Sequence, residues 1–494
     1  MIFVCDLVLV ICNLPRYKKM KNNQKLKIAV AMSGGVDSSV AAKILKDEGH
    51  SVTGLFLRLW SDPLCQINRE NRCCNYEALE DARKVAAKFK IPFYVINARD
   101  EFKKEVVDYF LHEYKNLCTP NPCVVCNDKI KFGLLLRKAM EIGCEKLATG
   151  HYVRIQQSQT SNPSTSSGQA LKPQTCNLKL KNSSGRHCEE QSDEAISKDR
   201  LPRPKGLAMT DSNITIQQFN NNDAKNSDGQ EVYHLLTGID KSKDQSYMLY
   251  HLNQEQLSQV MFPLGEMTKV KVRKLAKKWD LPVKEKPESQ EICFFGDKDY
   301  RIFLKRYLPQ KYFKSGEIVD RNGHVLGEHF GLINYTIGQR KGIEQISNIK
   351  FQISNEMSKS QNVIVRKTIC RLTKQSKKCL SGDKRPLYVM GFNIKNNRLI
   401  VGEDKEVYSK EMTVTDVNWI DPEDVIKLMK LMKLMKLKAK IRYRHEAVAC
   451  KIKNKIVKIK NIEVLFDKPQ RAITPGQSAV FYLGDEVLGG GIIR

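Results

Sequence analysis

Residues 30–38, Val-Ala-Met-Ser-Gly-Gly-Val-Asp-Ser, constrain the fold more than any other stretch of this chain. The apolar run Ile28-Ala29-Val30 leads into them, and an amphipathic segment from Ser39 to about Glu48 follows. That succession reads as a buried strand, a tight glycine turn and a helix start. Such a turn aims unpaired backbone N–H groups and a helix N-terminus at one point, where donors and dipole together favour a phosphate. Ser33, Ser38 and Ser39 add hydroxyls, and Asp37 either holds a metal ion or orients the loop. The Gly-Lys-Ser/Thr of the common P-loop is not here. A Gly pair by itself is an ordinary turn, but the preceding Ser and the following Asp-Ser, at this place in the chain, favour phosphate binding.

The next segments repeat the strand–helix alternation. Ser51–Leu57, Phe93–Ile96 and Lys146–Thr149 have strand character, while Glu77–Phe89, Asp100–Tyr114 and Lys129–Ile142 have helical patterning. Alternation at these lengths predicts an α/β fold with a doubly wound parallel sheet, whose ligand lies at the carboxyl ends of the strands. Three such ends are the opening loop, Gly54–Leu57 and Ala148–His151, so they are expected to share one site. From about 155 to 230 the chain is rich in Ser, Asn, Gln, Lys and Thr; it buries too little to offset its ordering entropy and reads as a disordered insertion. A second polar tract covers about 344–385.

The expected organisation is therefore a dispensable extension over 1–24, a catalytic domain over 25–299, a small central module over 300–385 and a C-terminal β-barrel over 386–494. The barrel is inferred from short alternating segments and turn signals such as Pro475-Gly476. Within it, the Leu-Met-Lys repeat over 427–438 fits neither a heptad nor a strand and reads as a low-complexity expansion. A net charge of +28 favours a polyanionic partner, nucleic acid first. Fifteen cysteines without framework spacing read as thiols of a reducing, cytoplasmic compartment. The apolar stretch 1–14 is too short for a membrane span.

Two cysteines stand where chemistry is plausible. Cys126, in Thr119-Pro-Asn-Pro-Cys-Val-Val-Cys126-Asn127, is placed just before a helix, where the dipole and Lys129 or Lys131 would lower its pKa. Cys293, in Glu288-Ser-Gln-Glu-Ile-Cys293, falls on an irregular loop. Viewed alone, Cys293 reads as a small buried hydrophobe, and the single Cys123-x-x-Cys126 pair is a weak zinc or redox signal.

These segments, with Ala148-Thr-Gly-His-Tyr152, Lys243-Asp-Gln-Ser-Tyr247 and Tyr335-Thr-Ile-Gly-Gln-Arg-Lys-Gly342, together resemble the tRNA-specific 2-thiouridylase family from about Lys25 to Gly489-Gly-Gly. The opening loop alone marks only the wider class of ATP pyrophosphatases. The resemblance implies adenylation of the C2 oxygen of a tRNA wobble uridine with ATP and Mg²⁺, followed by replacement of that oxygen with sulfur. It implies Cys293 as the persulfide carrier and Cys126 as the partner nucleophile, the two ending as a disulfide. Ala31, Met32, Ser33, Gly34, Gly35, Val36, Asp37, Ser38, Leu57 and Gly150 match the nucleotide-binding positions. Asn121, Pro122 and Cys123 match the stretch beside the target base, and His151, Lys243, Asp244, Gln245, Arg442, Tyr443 and Gln477 match positions that touch tRNA. A sulfur-donor protein, either a cysteine desulfurase or a sulfur relay, and a monomeric state follow from the same resemblance.

Cys123 stands where many relatives have Asp, and this leaves two readings. Cys123 is a bystander, or Cys123, Cys126 and Cys293 ligate a [4Fe–4S] cluster as related thiolases do. The persulfide route is preferred. The main rival activity is that of another tRNA-modifying or amidating ATP pyrophosphatase, which has no need of paired reactive cysteines. A catalytically degenerate RNA-binding protein is the rival from a different class.

Overall fold

The computed structural model describes residues 25–64, 76–159, 231–288, 292–294, 299–343, 386–422, 437–453 and 461–494. The expectations for the extension, for 160–230 and 344–385, and for the Leu-Met-Lys repeat up to 436 lie outside the described residues.

A parallel sheet holds β1 (Lys27–Ala31), β2 (Ser51–Arg58), β3 (Phe93–Asn97) and β4 (Lys146–Ala148). After two strands that join another sheet, β5 (Val153–Gln159) and β6 (Glu231–Thr237), it is completed by β7 (Val260–Met261). Its order is β3-β2-β1-β4-β7, with every pair parallel. Alternate residues of β1 face opposite sides, as a period of two requires. Ile28 and Val30 pack with the helices Val36–Asp47, Tyr76–Phe89 and Lys269–Lys278, whereas Ala29 packs with Leu55, Leu147, Phe132 and Leu135 on the other face. The order reverses between β1 and β4, which opens a crevice at their carboxyl ends. The Ser33–Ser38 loop follows β1 there, and Gly150 follows β4.

Two further sheets correct the expected boundaries. β8 (Gly316–Val319), β9 (Val325–His329), β10 (Tyr388–Asn393) and β11 (Arg398–Gly402) form one sheet in the order β10-β11-β8-β9. The Tyr388–Gly402 hairpin thus belongs to the central module, not to the barrel where the sequence reading put it. The reason is apolar: Val389, Leu399 and Val401 share a core with Ile318, Leu332 and Tyr335. The polar tract that precedes the hairpin marked an insertion rather than a domain boundary.

The barrel contains β12 (Tyr408–Trp419), β13 (Lys438–Lys440), β14 (Val448–Ile452), β15 (Ile462–Arg471), β16 (Ser478–Leu483) and β17 (Glu486–Ile493). These pair antiparallel in the order β12-β15-β14-β13-β16-β17, and β12 also pairs with β17 to close the ring. β6 and β5 extend this sheet from β17. Strand structure therefore continues to Gln159, past the expected start of the insertion at 155, and the residues flanking that insertion belong to the barrel sheet.

Candidate active site

The nucleotide loop is built from the turn upward. Gly34 has φ +67°, and a Cβ on it would lie 2.1 Å from the Ala78 carbonyl oxygen, so only glycine fits. A Cβ on Gly150 would lie 2.9 Å from the Ser38 nitrogen, which brings the end of β4 against the loop. The Val36–Asp47 helix starts at Gly35 with no side-chain cap. Ser38 Oγ accepts from the Ser33 N–H at 3.2 Å, and Ser39 Oγ donates to the Gly35 carbonyl at 2.8 Å. Ser33 is exposed, whereas Met32 is buried in the sheet core. An uncapped helix N-terminus with an exposed serine beside it is what an anionic phosphate group needs.

Asp37 orients the loop. Its Oδ1 accepts from the Tyr152 hydroxyl at 2.7 Å, and Lys269 Nζ contacts Oδ1 and Oδ2 at 2.8 and 2.7 Å. Lys269 also pairs with Glu288 at 3.2 Å, and Glu288 in turn pairs with Lys243 at 2.7 Å. Burial pushes the Glu288 carboxyl up, but hydrogen bonds from Lys243 and Lys269 outweigh it and hold the group below the usual range. Burial and the Asp37 charge raise the Tyr152 hydroxyl, so it stays a donor. With both its oxygens engaged, Asp37 does not fit the role of a free metal ligand.

The cysteine helix differs from expectation. It starts at Pro122 rather than near Lys129, and widens to π-type winding over Cys126–Leu135. Cys126 therefore lies inside the helix, buried, while Cys123 is exposed on the first turn. The sequence misled here because Pro120 and Pro122 look like loop residues, although Pro at the first helical position is favourable. Cys126 belongs to a cluster containing Phe102, Phe110, Phe294 and Phe303, and the half-buried Cys293 packs against the same cluster. Leu57, at the end of β2, packs there too. Two thiols far apart in sequence thus rest on one aromatic core.

Several expected RNA contacts face inward. His151 is buried between Phe132 and Phe262, and burial lowers its pKa well below the usual value. Its Nδ1 pairs with Thr149 Oγ1 at 2.7 Å. Asp244 is buried and accepts from the Gly238 N–H at 3.0 Å and the Ser246 hydroxyl at 2.8 Å, which closes a turn. Gln245 Oε1 accepts from the Tyr152 N–H at 3.0 Å. Gln477 Nε2 donates to the Thr119 carbonyl at 2.8 Å, and the Thr119 N–H donates to the Pro475 carbonyl at 2.8 Å. These bonds fasten the barrel to the segment leading into the cysteine helix. Short polar motifs leave such inward roles and ligand contacts indistinguishable in sequence.

The outward face has members that sequence reading missed. Lys440 Nζ lies 5.9 Å from the Tyr247 ring centre and 5.8 Å from that of Tyr443. Burial lowers the Lys440 pKa. Burial, and then the Arg471 charge, lower that of Arg442, whose buried Nε has no hydrogen-bond partner among the described residues. Burial first, and then the Asp244 charge, raise the Tyr443 hydroxyl above the usual value. Asn121 Nδ2 reaches Met248 Sδ at 3.8 Å. Asn127 Nδ2 donates to the Met248 carbonyl at 3.1 Å, and its buried Oδ1 has no partner among the described residues. Among the described residues, no group of three or more His, Cys, Asp or Glu side chains is placed to hold a metal. Nor, among those residues, is any helix long and apolar enough to cross a membrane.

Known proteins match most of the chain in sequence. The model for the tRNA methyl transferase HUP domain matches residues 26–183 and 218–297. The PRC-barrel domain model of the same family matches 301–365, and an aminomethyltransferase β-barrel domain model matches 409–493. The tRNA-specific 2-thiouridylase MnmA of Geobacter metallireducens is 36% identical over 96% of this chain and 98% of its own length. The tRNA-specific 2-thiouridylase MnmA 1 of Caldanaerobacter subterraneus subsp. tengcongensis is 39% identical over 95% and 98%, respectively. A nucleotide loop, two cysteines on one core and a barrel fastened to the cysteine helix thus occur in a chain that matches these relatives nearly end to end, and it belongs to the tRNA-specific 2-thiouridylase family.

Proposed function

We propose that this chain converts the wobble uridine of tRNA to 2-thiouridine with ATP. The observation that carries the reading is the packing of Cys126 and Cys293 on one aromatic cluster in a chain that also has an uncapped glycine-loop helix. The uridine C2 oxygen attacks the α-phosphorus of ATP; the new P–O bond forms as pyrophosphate leaves, and C2 becomes electrophilic. Cys293 carries a persulfide whose terminal sulfur attacks C2 and expels AMP with the C2–O bond. The Cys126 thiolate then attacks Cys293 Sγ, the S–S electron pair leaves with the base as 2-thiouridine, and a Cys126–Cys293 disulfide remains. A thiol reductant supplies two electrons to reopen it, and a sulfur-donor protein, either a cysteine desulfurase or a sulfur relay, reloads Cys293.

The chain's own residues have defined parts in this scheme. The loop N–H groups and helix N-terminus receive phosphate charge, and Leu57 and Gly150 complete the nucleotide pocket. Mg²⁺ supplies neutralisation of phosphate charge when it accompanies ATP, and Asp37, engaged by Lys269 and Tyr152, is not its holder. Lys440, Arg442 and Tyr443 face the RNA, and Asn121–Cys123 lie beside the base. The protein works as a cytoplasmic monomer in this reading.

The test is mass spectrometry of nucleosides from unmodified tRNA incubated with the protein, ATP and a competent sulfur donor. Appearance of 2-thiouridine supports the reading, and its absence overturns it. Anaerobic purification with iron analysis separates the routes: activity that tracks iron content would restore the cluster, and an iron-free active protein leaves the persulfide route.

A further inference from the structure

We propose that Lys269 is a positioning residue for sulfur transfer, holding Glu288, which precedes Cys293 by five residues in the sequence, at the nucleotide loop. The proposal rests on the reading of Cys293 as the sulfur carrier. Lys269 is only 8% exposed and is the first residue of the Lys269–Lys278 helix. An ammonium there meets two penalties, loss of water and the positive end of the helix dipole. What offsets them is a pair of carboxylates from distant segments: Asp37 of the nucleotide loop at 2.7 Å and Glu288 at 3.2 Å. Asp37 is held from a further direction by Tyr152, and Glu288 by Lys243. The Lys269 backbone is anchored as well, its N–H donating to Asp240 at 2.9 Å.

The consequence follows from the charges. Asp37 and Glu288 share one ammonium, so without it two carboxylates confront each other across a half-buried gap and repel. Glu288 precedes Cys293 by five residues in the sequence, whereas Asp37 belongs to the loop proposed to hold ATP. Release of Glu288 therefore loosens the sulfur carrier relative to the activated base and leaves the loop itself in place. The ion pair links the two halves of the reaction, activation and sulfur delivery. A purely structural ion pair would instead lower both halves together.

The experiment uses the full chain, unmodified tRNA, ATP and a sulfur donor, and compares Glu288→Gln and Glu288→Asp with the wild type. Two rates are followed, tRNA-dependent ATP–pyrophosphate exchange and 2-thiouridine formation. Glu288→Gln is expected to keep exchange within about twofold and to lose thiolation by on the order of tenfold to a hundredfold, the scale of a misplaced reacting group. Glu288→Asp, which keeps the charge, restores most of that loss. Nucleotide is expected to slow iodoacetamide alkylation of Cys293 in the wild type but not in Glu288→Gln. Exchange and thiolation that fall in parallel, or thiolation that does not change, overturn the proposal. A wild type that makes no 2-thiouridine sinks the functional reading instead.

Discussion

Two lysines near the proposed site are drawn out of water, and the protein treats them differently. Lys269 meets both Asp37 and Glu288, and its region is balanced internally. Lys440 lies over two tyrosine rings and, among the described residues, has no carboxylate at ion-pair distance; its pKa is lowered by burial, with Asp244 opposing from further away. Arg442 beside it is lowered in the same way; its Nη2 donates to the Arg471 carbonyl, and its Nε has no partner among the described residues. A buried charge is costly unless paired, so the first region is a finished piece of architecture. The second keeps positive charge that no carboxylate among the described residues balances, which suits it to the phosphates of the RNA partner proposed above. Net charge alone could not separate these two kinds of lysine.

The comparison breaks most sharply at the cysteines, which serve the balanced side. Cys126→Ser and Cys293→Ser are each expected to lower 2-thiouridine formation by on the order of 10³-fold or more, as loss of a nucleophile does, with ATP–pyrophosphate exchange retained. Survival of full modification activity in either variant would return the chain to the rival class of ATP pyrophosphatases. On the same side, Gly34→Ala forces a Cβ against the Ala78 carbonyl at positive φ. The strain is about 1–3 kcal/mol, and nucleotide titration is expected to show weakened ATP binding while tRNA binding persists.

On the unbalanced side the expected effects are smaller and depend on salt. Lys440→Gln and Arg442→Gln should each weaken tRNA binding and reduce the slope of log affinity against log salt by about 1. Because burial lowers the Lys440 pKa, tRNA affinity should fall with rising pH sooner than an ordinary lysine would allow, and Lys440→Gln should flatten that fall. A salt slope unchanged in both variants would place the RNA elsewhere. The smallest effect concerns His151. Its folded pKa lies below its unfolded value of about 6.5, so its contribution to stability is intact above that pH and is lost as pH falls, by up to about 1.4 kcal/mol per pH unit. Denaturant titrations of His151→Asn should show a shallower acid slope.

What was legible in the sequence was local. The strand, glycine turn and helix of the nucleotide loop are consecutive, and their hydrophobic period and turn chemistry announce them within a few residues. The sheet around them follows from repeated strand–helix alternation. The helix start at Pro122 was misread because proline signals both a loop and a first helical turn. The Tyr388–Gly402 hairpin was misplaced because its partner, β8, lies on the far side of a long polar tract. Lys269 and Lys440 were passed over for the same reason: each owes its role to neighbours from remote segments. Their own sequence surroundings are those of any basic residue.

The sequence by itself determined the strand, glycine turn and helix of the opening loop and the parallel character of the sheet, and it singled out Cys126 and Cys293 by resemblance. Each of these depends on interactions within a few residues or on a period that short-range sterics impose. Only the tertiary structure decided which charges are paired and which remain open. It turned His151, Asp244 and Gln477 inward, seated Cys126 and Cys293 on one aromatic core, and set Lys269 between two carboxylates. Pairing and desolvation depend on distance through space, and the order of residues along the chain does not contain that distance.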